Sequence, residues 1–191
     1  VLDNSAVYVS GPSNTASGDN GVNGAAMVRT NANNGVIVSF FPEAGTGTNH
    51  TRALRVSGAT CTADAFPSTS NTDQCFNSAN TTQATFTAGT EKFGMTIAGT
   101  NCGSTTAYTC VFASSSNKLA AGAEWDGSGA GTFGTAGGFA WHENATATTI
   151  ASSPSVVDDE VLMLKFAGTA NITTPTGSYG VTSTYIATAT F

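Results

Sequence analysis

Residues 179–191 read YGVTSTYIATATF, and this stretch decides the fold class. Alternate positions carry larger or apolar side chains, whereas the positions between them carry mostly threonine. Because successive side chains of a β-strand point to opposite faces of the sheet, this alternation predicts a strand with one packed face and one polar face. The predicted packed set is Tyr179, Val181, Ser183, Tyr185, Ala187, Ala189 and Phe191.

A second strand is predicted just before this one. Residues 161–166 are apolar except for Lys165. Between the two strands, residues 174–177 read TPTG, with Pro and Gly where a type I turn prefers them. We therefore predict that these two strands are neighbours in a sheet.

The rest of the chain is also poor in helix formers. Leu, Glu and Lys are scarce, whereas Thr, Val, Gly, Asn and aromatic residues are abundant. Further strands are predicted at residues 6–10, 25–30, 36–41, 53–57, 84–87, 92–97, 108–112 and 139–141. About ten short strands joined by Gly-, Ser- and Asn-rich loops predict an all-β fold. We expect a single Ig-like or jelly-roll β-sandwich that spans residues 1–191.

The composition excludes two classes of partner. Of the 191 residues only 9% are charged, and the net charge is -6. Six basic residues cannot neutralise a row of phosphates, so we expect no nucleic acid. No stretch approaches the ~20 apolar residues of a membrane-spanning helix. Since the chain starts without a charged and then apolar leader, we expect a mature secreted form.

The cysteines indicate an oxidising compartment. None of the four lies in a C-x-x-C pair of the kind that binds zinc or performs redox chemistry. Four cysteines allow three pairings, and the simplest closes two loops of about ten to fifteen residues each. That pairing joins Cys61 to Cys75 and Cys102 to Cys110. Disulfides of this kind persist outside the cell or on its surface, where we expect this protein.

Catalytic motifs are scarce in the sequence. The two histidines are His50 and His142, and no serine lies in a G-x-S-x-G elbow. We therefore predict no catalytic residues and no enzyme. Trp125, Trp141 and His142 are candidates for an aromatic platform that binds a sugar, although we favour a core role for both tryptophans.

Two further sets of residues are candidates for sites. Asp158, Asp159 and Glu160 form the only acidic run, which we interpret as a solvated turn before the strand at residue 161. Calcium binding is the leading alternative for this run, and we expect no other cofactor. Four N-x-[ST] sequons are candidate glycosylation sites, although about four matches arise by chance in such a composition. They lie at Asn49, Asn80, Asn144 and Asn171.

Residues 162–191, LMLKFAGTANITTPTGSYGVTSTYIATATF, resemble the C-terminal signature of secreted bacterial surface proteins with a pilin-like β-sandwich. Similar endings, a T-P-x-G-x-Y segment followed by a Thr-rich strand, occur in spore coat U-like, archaic chaperone-usher pilin and WxL-type domains. The resemblance implies an extracellular Ig-like or jelly-roll subunit of a surface structure or a pilus. The residues that carry the match are Ala170, Ile172, Thr174, Pro175, Gly177, Tyr179 and Phe191.

The start of the chain suggests how such a subunit could polymerise. Residues 1–10 read VLDNSAVYVS, a candidate strand, and a flexible Gly-, Ser- and Asn-rich stretch follows as far as Gly24. A strand on such a tether can add to the sheet of a neighbouring copy, and head-to-tail repetition of that contact gives a filament. Residues 1–12 are thus a candidate exchanged strand, and the alternative that they pair within their own sandwich stays open. The residues expected to carry the exchange are Val1, Leu2, Val7, Tyr8 and Val9.

Two classes of function follow from these observations. The first is a structural subunit of an extracellular filament, such as a pilus or fimbrium, or of a cell-surface layer, with copies of itself as partners. The alternative is a secreted carbohydrate-binding module or adhesin domain. Its glycan site would combine Trp125 and Trp141 with the acidic run.

Overall fold

The computed structural model contains strands and no helix in the residues that it describes, which are 7–9, 24–62, 73–79, 83–99, 119–125 and 139–191. This part of the chain accordingly offers no helix long and apolar enough to cross a membrane. The all-β prediction is confirmed. The strands are β1 (Val7–Val9), β2 (Gly24–Thr30), β3 (Val36–Pro42), β4 (Thr46–Gly47), β5 (Arg55–Val56), β6 (Thr60–Cys61), β7 (Lys92–Gly99), β8 (Ala120–Ala121), β9 (Thr148–Ser153), β10 (Val157–Thr169), β11 (Tyr179–Gly180) and β12 (Ser183–Ala189).

The first sheet is built around β10, which has 13 residues and pairs antiparallel with three strands. It pairs with β2 over residues 157–164, with β7 over 163–169 and with β1 over 167–169. A strand has only two edges. Residues 163–164 of β10 pair with both β2 and β7, and residues 167–169 pair with both β1 and β7. Therefore β1 and β2 lie on the same edge of β10, opposite β7.

The second sheet has the strand order β12-β3-β9-β8, and all of its pairs are antiparallel. Two small ladders lie outside the large sheets: β11 pairs antiparallel with β5, and β4 pairs parallel with β6. Apolar side chains of both large sheets pack into one core, which makes a β-sandwich. Residues from both sheets in this core are Val28, Val36, Val38, Phe40, Met95, Ile97, Ile150, Leu162 and Leu164.

Aromatic rings fill the centre of this core. The Phe40 ring meets Trp141 edge-on at a centroid distance of 4.8 Å and Trp125 at 5.6 Å. The indole N–H of Trp141 donates to the carbonyl of Arg52 at 3.0 Å. Trp125 and Trp141 are 0% and 1% exposed, so they have the core role that the sequence favoured and offer no platform for a sugar.

The predicted pairing of residues 161–166 with the C-terminal strand is wrong. β10 and β12 belong to different sheets, because residues 170–178 carry the chain from one sheet to the other. The hydrogen-bonded turn in this connection runs from Asn171 to Thr174, whose N–H donates to the Asn171 carbonyl at 3.2 Å. The Asn171 side-chain oxygen also accepts the Thr173 N–H at 2.9 Å. This Asx turn replaces the turn predicted at residues 174–177.

The alternation in the C-terminal residues holds only in its first half. Tyr179, Val181, Ser183 and Tyr185 are half-buried, and the residues between them are exposed. Beyond them Ala187 and Ala189 are exposed as well, and Phe191 is 89% exposed. The pattern shows which side chains share a face, but burial needs an element packed against that face, which a local pattern does not reveal.

Candidate assembly site at the first strand

The first strand, β1, lies on its own chain's β10. Val7, Tyr8 and Val9 stand opposite Thr169, Gly168 and Ala167 in an antiparallel ladder. This is the intramolecular arrangement that the sequence left open for the proposed donor residues. The other two proposed donor residues, Val1 and Leu2, lie outside the described residues.

The end of β10 that receives β1 is held on its other sides by the rest of the sandwich. Ala167 and Thr169 are 2% and 0% exposed. On the opposite edge these residues of β10 pair with β7. Ala167 packs in a small apolar cluster with Ala79, Phe86 and Phe139, and the Thr169 hydroxyl donates to the Thr90 carbonyl. The surface of β10 that β1 covers is therefore held in place mainly by contacts with other parts of the chain.

The connection between β1 and β2 is much longer than the gap that it bridges. The two strands lie end to end on one edge of β10, with only Lys165 and Phe166 of β10 between their paired residues. At about 3.3 Å per residue, the gap from Val9 to Gly24 is roughly 10 Å. Residues 10–23 fill this connection, and fully extended they would span about 46 Å. The first strand is therefore on a tether that can reach beyond its own sheet.

A buried carboxylate holds the connection that follows the receiving end of β10. Glu91 is 3% exposed. One carboxylate oxygen accepts the Asn77 backbone N–H at 2.8 Å, and the other accepts the Thr174 hydroxyl. Sequence reasoning missed this role, because a single Glu beside a predicted strand carries no signal of its partners.

Tyr179 closes the same connection. Its hydroxyl donates to the Pro175 carbonyl at 2.7 Å. Burial, together with the negative charges of Glu91 and Asp73, raises the pKa of Tyr179 to about 12. The hydroxyl therefore stays protonated and able to donate above pH 10.0, where an ordinary tyrosine ionises. Residues of the T-P-x-G-x-Y segment thus fix the crossing between the sheets.

The acidic run lies in a strand and not in the predicted turn. Asp158, Asp159 and Glu160 belong to β10, at a register shift where Asp159 has a φ of 52°. The predicted turn is replaced because β2 pairs with β10 on both sides of this irregularity, so the chain continues as a bulged strand.

The side chains of the acidic run do not converge on one point. Arg29 Nε lies 3.3 Å from Asp158 Oδ1, and Arg29 Nη1 lies 3.8 Å from Asp159 Oδ2. Glu160 is buried elsewhere and accepts the Leu119 N–H at 2.6 Å. Within the described ranges, no group of three or more His, Cys, Asp or Glu side chains could hold a metal ion.

We expect calcium to leave the stability of this protein unchanged. Arg29 already pairs with both aspartates, and the third carboxylate of the run is engaged with Leu119. A melting curve with calcium at about 1 mM should match one with a chelator to within ~1 °C. Magnesium serves as the control. A saturated site adds about 2.7 kcal/mol at 100 times its Kd, so a calcium-specific rise of several degrees would contradict this expectation.

A polar cluster that the sequence did not predict links three segments. The Ser78 hydroxyl donates to Glu143 Oε1, and His50 Nδ1 lies 3.6 Å from the same oxygen. In a Ser-His-Asp triad the serine hydroxyl donates to the imidazole, whereas here it donates to the carboxylate. We interpret the cluster as a structural link. Because its members are far apart in the chain, no local motif could have predicted it.

One predicted disulfide is confirmed. Cys61 and Cys75 are bonded, with a Cα–Cα distance of 5.6 Å, and both residues are buried. The bond ties β6 to the segment that pairs with β5 through the Arg55–Cys75 bridge. The second predicted pair, Cys102 and Cys110, lies outside the described residues.

The sequons differ in accessibility. Asn144 is exposed, whereas Asn49 is half-buried and its amide donates to the Thr62 carbonyl at 3.3 Å. Asn171 is also half-buried, with its side-chain oxygen engaged in the Asx turn. Asn80 lies outside the described part of the chain. Of the three described sequons, the one at Asn144 presents its amide most openly.

Comparison of the chain with family models, with curated proteins and with solved structures finds no match. The resemblance of residues 162–191 to the endings of surface proteins stays a prediction. The function is therefore argued below from the geometry of the strands.

Proposed function

We propose that this protein is a structural subunit that assembles outside the cell by exchanging β1 between copies. The observation that carries the proposal is the ladder of β1 on β10, which has three residue pairs. The connection from β1 to β2, residues 10–23, is long enough for β1 to reach another copy. A β-ladder forms in the same way whether its strands come from one chain or from two. The ladder seen within one chain therefore describes the contact that two chains would make.

Exchange of β1 costs little free energy. Each copy gives up three residue pairs and regains the same three from a neighbour, so the hydrogen bonds balance. The tether sets the effective concentration of a copy's own β1, which falls as the tether lengthens. At high protein concentration, the β1 strands of other copies therefore compete with a copy's own β1 for its β10. When each copy passes its strand to the next, the contact does not close and a filament or layer grows.

The other observations favour this class over a glycan-binding module. The tryptophans named for a sugar platform lie in the core, and the acidic run does not converge. The Cys61–Cys75 disulfide suits an oxidising compartment. The function proposed is thus that of a secreted, pilus-like or surface-layer subunit whose partners are copies of itself.

Cysteine cross-linking tests the exchange. Val9 and Ala167 stand directly opposite, and the Cα atoms of such antiparallel pairs are about 4.5–5.5 Å apart, within the range that a disulfide bridges. Full-length Val9→Cys and Ala167→Cys chains are mixed at high concentration, unfolded, refolded and oxidised. If β1 is exchanged, a product of twice 19.1 kDa that contains one chain of each kind should accumulate.

Two controls accompany the cross-linking experiment. The Val9→Cys chain mixed with Ser152→Cys, a change at an exposed residue of the other sheet, should give no such product. A chain with both Val9→Cys and Ala167→Cys reports the internal ladder. If that double variant cross-links only internally and the mixture yields no mixed product at any concentration, the exchange proposal is wrong.

A further inference from the structure

The second sheet has an edge strand, β12, without the usual protection against pairing. Within the described residues its one neighbour is β3, and their ladder runs without a register shift. β12 has seven residues, none of them charged and none a proline. By contrast, β8 at the other edge has two residues, and β2 in the first sheet carries Arg29. Long, flat and uncharged edges invite another strand.

The backbone of β12 shows which of its groups face outward. Thr190 N–H donates to the Gly35 carbonyl at 2.9 Å, and Glu43 N–H donates to the Thr182 carbonyl at 2.8 Å. In an antiparallel ladder, alternate residues bond to the same neighbour, so the even-numbered residues of β12 face β3. The odd-numbered residues then direct their N–H and C=O groups to the free edge. These residues are Ser183, Tyr185, Ala187 and Ala189.

The charge distribution favours a second copy of the chain as the occupant of this edge. The protein has a net charge of -6, so two copies repel each other over most approaches. Residues 166–191 contain no charged side chain, so two β12 edges can meet without like charges opposite each other. Two apolar side chains on the outer face are also uncovered, with Ile186 44% and Ile37 41% exposed. They are diagonal neighbours, since Ile186 stands opposite Ser39 and Ile37 opposite Thr188.

We propose that two copies pair through their β12 strands, antiparallel and two-fold symmetric, with Ile186 at the axis. Seven residues centred on Ile186 place Tyr185 opposite Ala187 of the partner and Ser183 opposite Ala189 of the partner. All four are outward-facing residues, so about eight N–H···O bonds form. Each Ile186 meets its symmetry mate in a non-hydrogen-bonded pair, where Cα atoms approach to about 4.5 Å.

The side chains on the inner face suit this register. Tyr185 is half-buried and reaches the facing sheet, where its hydroxyl lies 3.2 Å from Met95 Sδ. Its neighbour across the axis would be Ala187 of the partner, which is small and exposed. The pairing would join two four-stranded sheets into one continuous sheet. Because an isologous contact closes on itself, it gives a dimer and not a filament.

This inference does not depend on the exchange of β1, since β1 and β12 belong to different sheets. The test therefore uses the full-length chain with Val9→Cys and Ala167→Cys, cross-linked internally so that β1 cannot be exchanged. Sedimentation of this locked chain should show a species of twice 19.1 kDa that dissociates on dilution. A locked chain that stays monomeric up to about 1 mM would overturn the pairing and leave the proposed function intact.

Charge substitutions at the axis test the register. In the locked chain, Ile186→Lys and Ile186→Glu each place two like charges opposite each other, and each should weaken the dimer at least ~10-fold. An equal mixture of the two should restore it as a mixed dimer, which also shows that both variants are folded. Ser152→Lys, on the same outer face but two strands from the edge, should leave the dimer unchanged. A dimer that survives Ile186→Lys, or a mixture that fails to recover, would contradict the register.

Discussion

Gly35→Ala is expected to lower the free energy of unfolding by more than about 3 kcal/mol. Gly35 has a φ of 83°, and a Cβ built there would lie 1.9 Å from the Ser153 carbonyl oxygen and 2.6 Å from the Ser155 nitrogen. Both are backbone atoms; Ser153 is the last residue of β9 and pairs with Val36, so it cannot move aside without disturbing the β3–β9 ladder. Urea denaturation followed by tryptophan fluorescence measures the loss.

Gly58→Ala is the matched control for this substitution. Gly58 has nearly the same φ, 82°, but a Cβ there would meet nothing within 4 Å. Its expected cost is only that of the left-handed backbone, about 1–2 kcal/mol. The difference between the two variants isolates the clash. Equal losses of unfolding free energy would contradict this expectation, because they would show that the backbone at Ser153 and Ser155 moves aside at little cost.

Glu91→Ala is expected to cost about 3 kcal/mol, the second large effect. Without the carboxylate, the buried Asn77 N–H loses its acceptor, which costs about 1–3 kcal/mol, and the half-buried Thr174 hydroxyl must turn to the Asn171 side-chain oxygen, 3.0 Å away. Glu43→Ala, at an exposed glutamate, should change stability by no more than about 0.5 kcal/mol. Equal stability of both variants would mean that Glu91 does not hold the connection.

Tyr179 gives a local readout for the same site. Burial is the main cause of its raised pKa, and the Glu91 charge adds to it. Glu91→Gln should therefore bring the pKa of Tyr179 below about 12 but leave it above its ordinary value of 10.0. Because the folded pKa is raised, the wild-type protein loses stability as pH rises from about 10 to 12. Absorbance of the phenolate follows the titration, and a pKa unchanged by Glu91→Gln would contradict the contact.

The sequence predicted strands best where apolar and β-branched residues alternate over several positions. β2, β3 and β7 fall at predicted places. β9 was missed because its sequence, TTIASS, is mostly small and polar, and its burial comes from the strands on either side. The strands β4, β6 and β8 have two residues each, too few to show a period of two. Predicted strands at residues 84–87 and 139–141 reduce to isolated bridges, and the one at 108–112 lies outside the described residues.

Strand partners and polar contacts were harder to predict than strands. Neighbours in sequence pair in roughly two-thirds of cases, and that rule failed for β10 and β12 because the chain changes sheets between them. The Cys61–Cys75 bond was predictable because its loop is short. The bond from Thr174 to Glu91 and the cluster at Glu143 join residues 65 or more positions apart, and no local pattern records such contacts.

The pairing of β10 also determines when the first sheet can form. Its partners β1, β2 and β7 all precede it, and Val7 meets Thr169 across about 160 residues of chain. During synthesis, these earlier strands have no sheet to join until residues 157–169 emerge. The first sheet therefore cannot form before β10 has been made, and its long-range pairings are expected to make folding slow, on the scale of about milliseconds to seconds.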